Sequence, residues 1–432
     1  MHSPCCTNCS VVVVAWVQQH CAAVADKVMH SLFARSKHLV VTAATGCFVG
    51  GIAGVISIAF LKSLHFVNDY RESNNWIMFL LPLAGLFIGL GYHYLGASVA
   101  QGSNLVLEEI HEPSAGVPRR MAPMVFLGTS ASQLFGASTG REGAGIQIVS
   151  SLIDGIARVF SPTYETRKVL LITSIAAAFG GLFGVPVAGV VFALEVQERG
   201  RIRYEAILPA SVASLVSFRI VEAAQLERPI RSVIPEVTMN WTLGWKISML
   251  GIACALLATM FIHLTHYVQR ITKRLVAWPP LRPVAGSIVI LMLVYISGTR
   301  DYLGLSVGLS EKAFVGAASV VAGAFLWKMI FTSVSLGTGF VGGEMIPIFI
   351  IGALAGGQIG NMLGESMPLF AAIGMVAMFA AASNTPIACV FIGLELFGGA
   401  TVIPIALGCV VAYVVSGEHS VYHAQRPSTQ IR

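Results

Sequence analysis

From residue 39 to residue 415 the chain is a near-continuous series of apolar segments joined by short polar connections, and a sequence of that kind folds in lipid. Crossing the hydrocarbon core takes ~20 apolar residues of helix. Residues 39–61, 76–95, 245–265, 284–296 and 313–334 read as spans, and 402–415 as a last apolar segment closing the membrane part. Others are too short, as at 121–135 and 146–160, or are broken by glycine and proline, as at 169–194 with Gly180, Gly181, Gly184 and Pro186. Only 11% of the residues are charged and 55% are hydrophobic, so the chain is an integral membrane protein with room for about ten to twelve spans plus half-helices. The 44 glycines point to close helix packing and interrupted helices. A net charge of +6 spread over the connections carries topology, not a nucleic-acid footprint.

Against that background Gly140-Arg141-Glu142-Gly143-Ala144-Gly145 stands out. A carboxylate and a guanidinium at membrane depth cost several kcal/mol (on the order of 2–4) unless local groups compensate them, which marks both as functional candidates. The glycines leave backbone N–H groups open, and the helix that follows turns its unpaired N–H groups and positive dipole end toward the preceding space. That is the outline of an anion site. The alternative is a glutamate that merely caps its own helix.

The second half repeats the pattern. Gly337 to Pro347 again combines glycines, a glutamate (Glu344) and an apolar helix that starts at once, at Met345. Phe179, Pro186, Ala188 and Leu194-Glu195 match Phe379, Pro386, Ala388 and Leu394-Glu395 at a constant offset of 200 positions, and Glu142 matches Glu344 at 202. Two related halves with broken helices are the plan of repeat-built transporters, whose binding site lies near the midplane where the broken helices meet. The expected division is an N-terminal cytoplasmic or interfacial segment (1–38), a first repeat (39–236), a second repeat (237–425) and a short tail (426–432). Residues 11–33 read as an amphipathic helix lying on or packed under the membrane domain, since Gln18, Gln19, His20, Asp26 and Lys27 interrupt the apolar run. Lys27, Arg35 and Lys37 place the N-terminus in the cytoplasm. Cys5, Cys6 and Cys9 cluster near the start, but no second pair at zinc-finger spacing accompanies them, so no metal is expected.

With these residues collected, the chain resembles the CLC family of anion channels and anion/proton antiporters. Gly140-Arg141-Glu142-Gly143 matches the family's gating-glutamate motif. Gly102-Ser103-Asn104-Leu105-Val106 stands at its Gly-Ser-Gly-Ile-Pro loop, Gly343-Glu344-Met345-Ile346-Pro347 at its Gly-x-Phe-x-Pro segment, and Tyr422 at its C-terminal anion-binding tyrosine. The resemblance covers about residues 39–425. It implies an all-α polytopic membrane domain of two inverted-topology repeats with broken half-helices, a homodimer with one ion path per subunit, and both termini in the cytoplasm. The departures are similar to the fluoride/proton branch: Leu105-Val106 for Ile-Pro, Ala144 for proline, and Glu344-Met345 for x-Phe. Val196 stands where chloride/proton exchangers carry an internal proton glutamate. Ser103, by contrast, is the chloride branch's residue at the selectivity position.

The function implied is fluoride export in exchange for protons across a plasma membrane, without a cofactor; chloride/proton antiport or a passive anion channel is the nearest alternative. An anion crossing lipid needs its water replaced by fixed donors. The candidates are backbone N–H groups near Ser103-Asn104, Gly143-Ala144 and Glu344-Met345, with the Tyr422 hydroxyl, the Asn104 amide and Arg141 beside them. Glu142 is the expected gate and proton carrier. Glu395 is a second carboxylate of the pathway that accepts a hydrogen bond or passes a proton, whereas its repeat mate Glu195 is expected at the cytoplasmic edge. A membrane-embedded enzyme is the remote alternative: Gly136-Ala137-Ser138-Thr139-Gly140 fits GxSxG, but it follows a helix and no histidine lies in a matching embedded position.

Overall fold

The computed structural model describes residues 7–112, 116–160, 163–199, 202–226, 234, 237–315 and 322–426, with side chains from residue 36 onward except 38. Among the described residues the regular structure is helical. The first half comprises α1 (Thr7–Ser73), α2 (Leu81–Tyr94), α3 (Ser103–His111), α4 (Met121–Phe135), α5 (Glu142–Ala157), α6 (Tyr164–Phe183), α7 (Pro186–Glu195) and α8 (Ile207–Ala223). The second comprises α9 (Trp241–Leu275), α10 (Arg282–Ser297), α11 (Val307–Val315), α12 (Ala324–Thr338), α13 (Met345–Met362), α14 (Met367–Ser383), α15 (Pro386–Phe397) and α16 (Val402–Ser416). Each helix of one half has its counterpart in the other: α3 and α11 are both half-helices of 9 residues, and α4 and α12 are both 15 residues long. The polypeptide is a multi-pass membrane protein, with nine helical stretches among the described residues long and apolar enough to cross a bilayer.

The helix breaks follow from residue chemistry. Between α6 and α7 the backbone turns through Gly184 at φ +78°, and Pro186 opens the next helix; between α14 and α15 Asn384 at φ +55° and Pro386 do the same. A left-handed residue ends the intrahelical ladder and proline suits the first turn of the next helix, where its missing N–H is not needed. Asparagine is the residue after glycine that best tolerates that conformation.

Two expectations are corrected. The amphipathic segment at 11–33 is not separate: α1 runs unbroken from Thr7 through the first span to Ser73. The cysteine cluster falls on residues outside the described side chains. The span read at 313–334 is not one helix: α11 is described to Val315, and α12 begins after Gly323, whose φ of +84° lies outside the helix. A further helix, α8, fills a stretch to which the sequence assigns no span. It is held by small-residue contact. Alanine-sized Cβ atoms at Gly46 and Gly50 of α1 would stand 2.7 Å from the Pro209 carbonyl and 2.5 Å from that of Ala213, so these glycines let the two backbones touch.

The most telling tie between the halves is reciprocal. Both oxygens of Glu195, the last residue of α7, accept from the Ile387 and Ala388 N–H groups that open α15, at 3.1 and 2.7 Å. Both oxygens of Glu395 accept from the Val187 and Ala188 N–H groups that open α7, at 3.0 and 2.8 Å. Glu195 is therefore buried at the junction of the repeats. Each carboxylate fills the positive helix start of the opposite repeat. Replacing either glutamate with alanine leaves two N–H groups unmet, at about 1–3 kcal/mol each when buried. Glu195→Ala and Glu395→Ala are expected to lower the thermal unfolding midpoint in detergent by similar amounts; a drop for only one of them would break the equivalence drawn here.

Candidate functional site

Three helix starts meet at one place. The Gly140 N–H donates to the Gly343 carbonyl at 2.6 Å and the Gly343 N–H returns the bond at 2.9 Å, an antiparallel bridge that joins the segments entering α5 and α13. Only glycine permits this approach. A Cβ on Gly140 would lie 2.7 Å from the Gly343 carbonyl oxygen, and one on Gly343 would lie 2.8 Å from the Gly143 nitrogen. The third start, α3, follows Gly102 at φ +60°. Its first residue, Ser103, accepts at Oγ from Gln147 Nε2 of α5 at 3.1 Å, and that Oγ is 3.7 Å from where a Gly143 Cβ would be. Gly143, Ala144 and Met345 are buried there. The structure thus brings together Ser103, Gly143, Ala144, Glu344 and Met345, which the sequence listed from separate segments.

Glu142 sits on this crossing with its side chain 1% exposed. One oxygen, Oε1, accepts from Arg141 Nε at 3.0 Å; the other, Oε2, is buried and has no hydrogen-bond partner. A carboxylate oxygen left bare in a membrane interior is held less firmly than the doubly bonded oxygens of Glu195 and Glu395. Arg141 has a second face, on the wall of a cavity of about 880 Å³ that presents Arg71, Arg300 and Lys312 together with Asp69, Glu72, Asp301 and Glu311. The guanidinium therefore connects that cavity to the carboxylate, and its role as the partner of Glu142 is direct.

Tyr422 arrives from the far end of the chain. The segment after α16 folds back, with the Val421 N–H on the Ala382 carbonyl at 2.8 Å and the Ala424 N–H on Asn104 Oδ1 at 3.1 Å. Tyr422 is buried, and its ring packs edge-on against Phe192 of α7 at 6.2 Å. Asn104 was expected to offer side-chain N–H groups to an anion. Its oxygen accepts from Ala424, which ties the C-terminal segment to the start of α3 and leaves the side-chain N–H groups as donors. Glu395 caps α7 across the repeat junction, the hydrogen-bond-accepting version of what the sequence suggested.

Two features escaped the sequence reading. Lys328 of α12 is fully buried, and its Nζ donates to Ser138 Oγ, Ser306 Oγ and the Gly304 carbonyl, each at 2.8 Å, and to the Tyr302 carbonyl at 3.3 Å. It braces the segment that leads into Gly140. A lysine among Phe325, Leu326, Trp327 and Met329 was the available signal. Arg167 is the second: it joins Asp154 of α5 at 2.5 Å and Glu109 of α3 at 2.7 Å, which fixes the half-helix α3 against α5.

A family model described as the voltage gated chloride channel matches residues 84–417. The chain belongs to the voltage-gated chloride channel family. It is 40% identical over 382 residues to the chloride/fluoride channel protein of Pseudomonas syringae pv. tomato, covering 87% of this chain and 84% of that protein. Identity to the H(+)/Cl(-) exchange transporter ClcA of Klebsiella pneumoniae is 26% over 412 residues, covering 85% of this chain and 84% of that one. Among solved structures, a CLC-type fluoride/proton antiporter superposes with a TM-score of 0.87 at 29% identity, over 90% of this chain and 98% of that one. A slow cyanobacterial Cl⁻/H⁺ antiporter superposes at 0.76 with 18% identity, over 87% of this chain and 94% of that one, a likeness of fold.

As a voltage-gated chloride channel family member, the chain has the two-repeat helical architecture on which the crossing of α3, α5 and α13 depends. Because Gly140 and Gly343 meet backbone to backbone, the clash in Gly140→Ala or Gly343→Ala has no flexible side chain to relieve it. Either variant should lose most ion flux in proteoliposomes and unfold at a lower temperature, while Gly51→Ala, where the new methyl meets nothing within 4 Å, should change neither.

Proposed function

We propose that this protein exports fluoride across a plasma membrane in exchange for protons, as a homodimer with one path in each subunit and both termini in the cytoplasm. The observation that carries the reading is the buried Glu142 carboxylate, with Oε2 unpartnered, at the meeting of three helix starts. Its relatives include a protein named for chloride and fluoride and a fluoride/proton antiporter. The role is transport rather than catalysis, and Gly136 to Gly140 serves as helix cap and crossing segment.

The chemistry follows from competition for one place. Ionised, Glu142 lies among the N–H groups and positive ends of α3, α5 and α13, which are also what a desolvated anion requires. Protonated, it loses its attraction to those dipoles and yields the position. Fluoride, small and a strong acceptor, is then held by the N–H groups of Gly143, Ala144, Glu344 and Met345, the Ser103 side of α3, and the Tyr422 hydroxyl, with Arg141 drawing both anion and carboxylate. Release of the proton restores the carboxylate and expels the anion. One residue thus links each anion passage to a proton, the minimum for exchange.

Chloride/proton exchange or passive anion conduction is the second reading, and Ser103 beside Gly143 is what favours it. Flux from proteoliposomes, with fluoride and chloride followed by electrode and protons by pH, separates the three. Fluoride efflux should drive protons inward, Glu142→Gln should abolish proton movement, and Tyr422→Phe should slow fluoride by about tenfold, the equivalent of one hydrogen bond of about 1.4 kcal/mol. Equal chloride rates would transfer the function to the chloride reading, and anion flux without proton movement in the unaltered protein would make it a channel.

A further inference from the structure

The segment that carries Tyr422 is fastened to α9 by histidines on both sides of that residue. His423 Nε2 lies 3.0 Å from His266 Nε2, with ring centroids 4.8 Å apart, and His419 stands edge-on to His263 at 5.1 Å. His263 and His266 are three apart on α9 and so share a face. Four of the chain's 11 histidines are gathered at this one contact. A pair of imidazoles at hydrogen-bond distance has one proton between the two facing nitrogens. If both rings become imidazolium, each facing nitrogen carries a hydrogen and the bond becomes a repulsion.

The groups around the His266–His423 pair are mostly basic. Those acting on His266 are His423 from the C-terminal segment and His263, Arg270 and Lys273 from α9. On the segment itself, Arg426 is engaged with Glu112 beyond α3, and Glu418, next to His419 in the chain, is the one acidic side chain of residues 418–426. The same basic surroundings disfavour a metal cation, and among the described residues no group of three or more potential ligands converges. The ligand suited to the cluster is the proton.

We propose that the His266–His423 and His263–His419 contacts form a proton-sensitive latch, closed when neutral, which holds Tyr422 and Asn104 in register with the starts of α3 and α13. The mechanical link is short. His423 is followed by Ala424, whose N–H is bonded to Asn104 Oδ1, and preceded by Tyr422 itself. Acidification on this face shifts the segment, so the donor set loosens without any change at Glu142. The latch geometry is independent of the transport reading, whereas its effect on flux rests on Tyr422 lining the path.

Hydrogen–deuterium exchange of the full-length protein tests it, with protection of residues 418–426 compared at pH 7.5 and pH 5.5 after correction for intrinsic rates. Protection in the unaltered protein should fall about threefold or more at the lower pH, the size of a screened charge–charge repulsion at this separation. In His266→Gln and in His423→Gln, each examined singly with monodispersity checked, that pH step should be at least halved, and in the double variant with His263→Gln it should vanish. No step in the unaltered protein, or an undiminished step in the variants, overturns the latch. Fluoride flux measured alongside separates the two claims. A latch that opens while Tyr422→Phe leaves flux unaltered keeps the switch and removes Tyr422 from the path.

Discussion

A helix that begins inside a membrane exposes N–H groups that neither lipid nor the helix itself can satisfy, and this fold contains several such helices brought together in the interior. Something negative must meet each start. The structure answers in two ways. At α7 and α15 the answer is fixed: Glu395 and Glu195 each reach across the repeat junction and bond two N–H groups. At α5 and α13 it is provisional: Glu142 has one oxygen on Arg141 and the other bare. The same carboxylate–dipole interaction therefore serves as a fastener in one pair of helices and, under the proposed function, as a gate in the other. What distinguishes them is the number of bonds the carboxylate makes.

The provisional site exists because two backbones cross without side chains between them. Mutual hydrogen bonds between Gly140 and Gly343 bring the starts of α5 and α13 into contact, and Gly143 faces the same crossing. A pair of helix starts pointing at one another concentrates positive potential in a space too narrow for bulk water. Lys328 braces this crossing from behind through the oxygens of Ser138, Tyr302, Gly304 and Ser306. The cavity beside Arg141 carries both signs of charge, with Arg71, Arg300 and Lys312 set against Asp69, Glu72, Asp301 and Glu311, so the positive potential comes from the helix starts rather than from the cavity wall. Under the proposed function, the helix starts that hold the Glu142 carboxylate are those an anion uses.

Much of this was legible in the chain because membrane burial makes polar residues and glycines conspicuous. The repeat, the glycine-flanked Glu142 and Glu344, and the proline breaks at Pro186 and Pro386 were all readable from spacing. What was not legible depends on contacts between distant segments. The pairing of Glu195 with α15 has no local signature, since its neighbours Gln197, Glu198 and Arg199 read as an aqueous edge. That Asn104 accepts from Ala424 as well as offering N–H groups depends on a segment 320 positions away. The seating of α8 on α1 depends on glycine notches at Gly46 and Gly50 that only the paired helix reveals. Gly323, at φ +84°, stands outside α12 in a run that composition alone made continuous.

The C-terminal segment shows how late contacts complete an early motif. Ser103 and Asn104 begin α3 some three hundred residues before Tyr422, yet the Ala424 N–H closes on Asn104 and the Val421 N–H on Ala382, so the start of α3 and the end of α14 share one clasp. Gln425 adds a second contact on that helix end through the Ser383 carbonyl. The aromatic series Tyr422, Phe192, Phe379 and Phe349, with centroid spacings of 6.2, 6.0 and 4.9 Å, continues the contact into α13. Rigid rings in a close-packed interior transmit displacement poorly to compressible space and well to one another. A shift at Tyr422 is therefore felt at α13, whose first turn holds the donors facing Glu142, and the segment belongs to the site as much as the helix starts do.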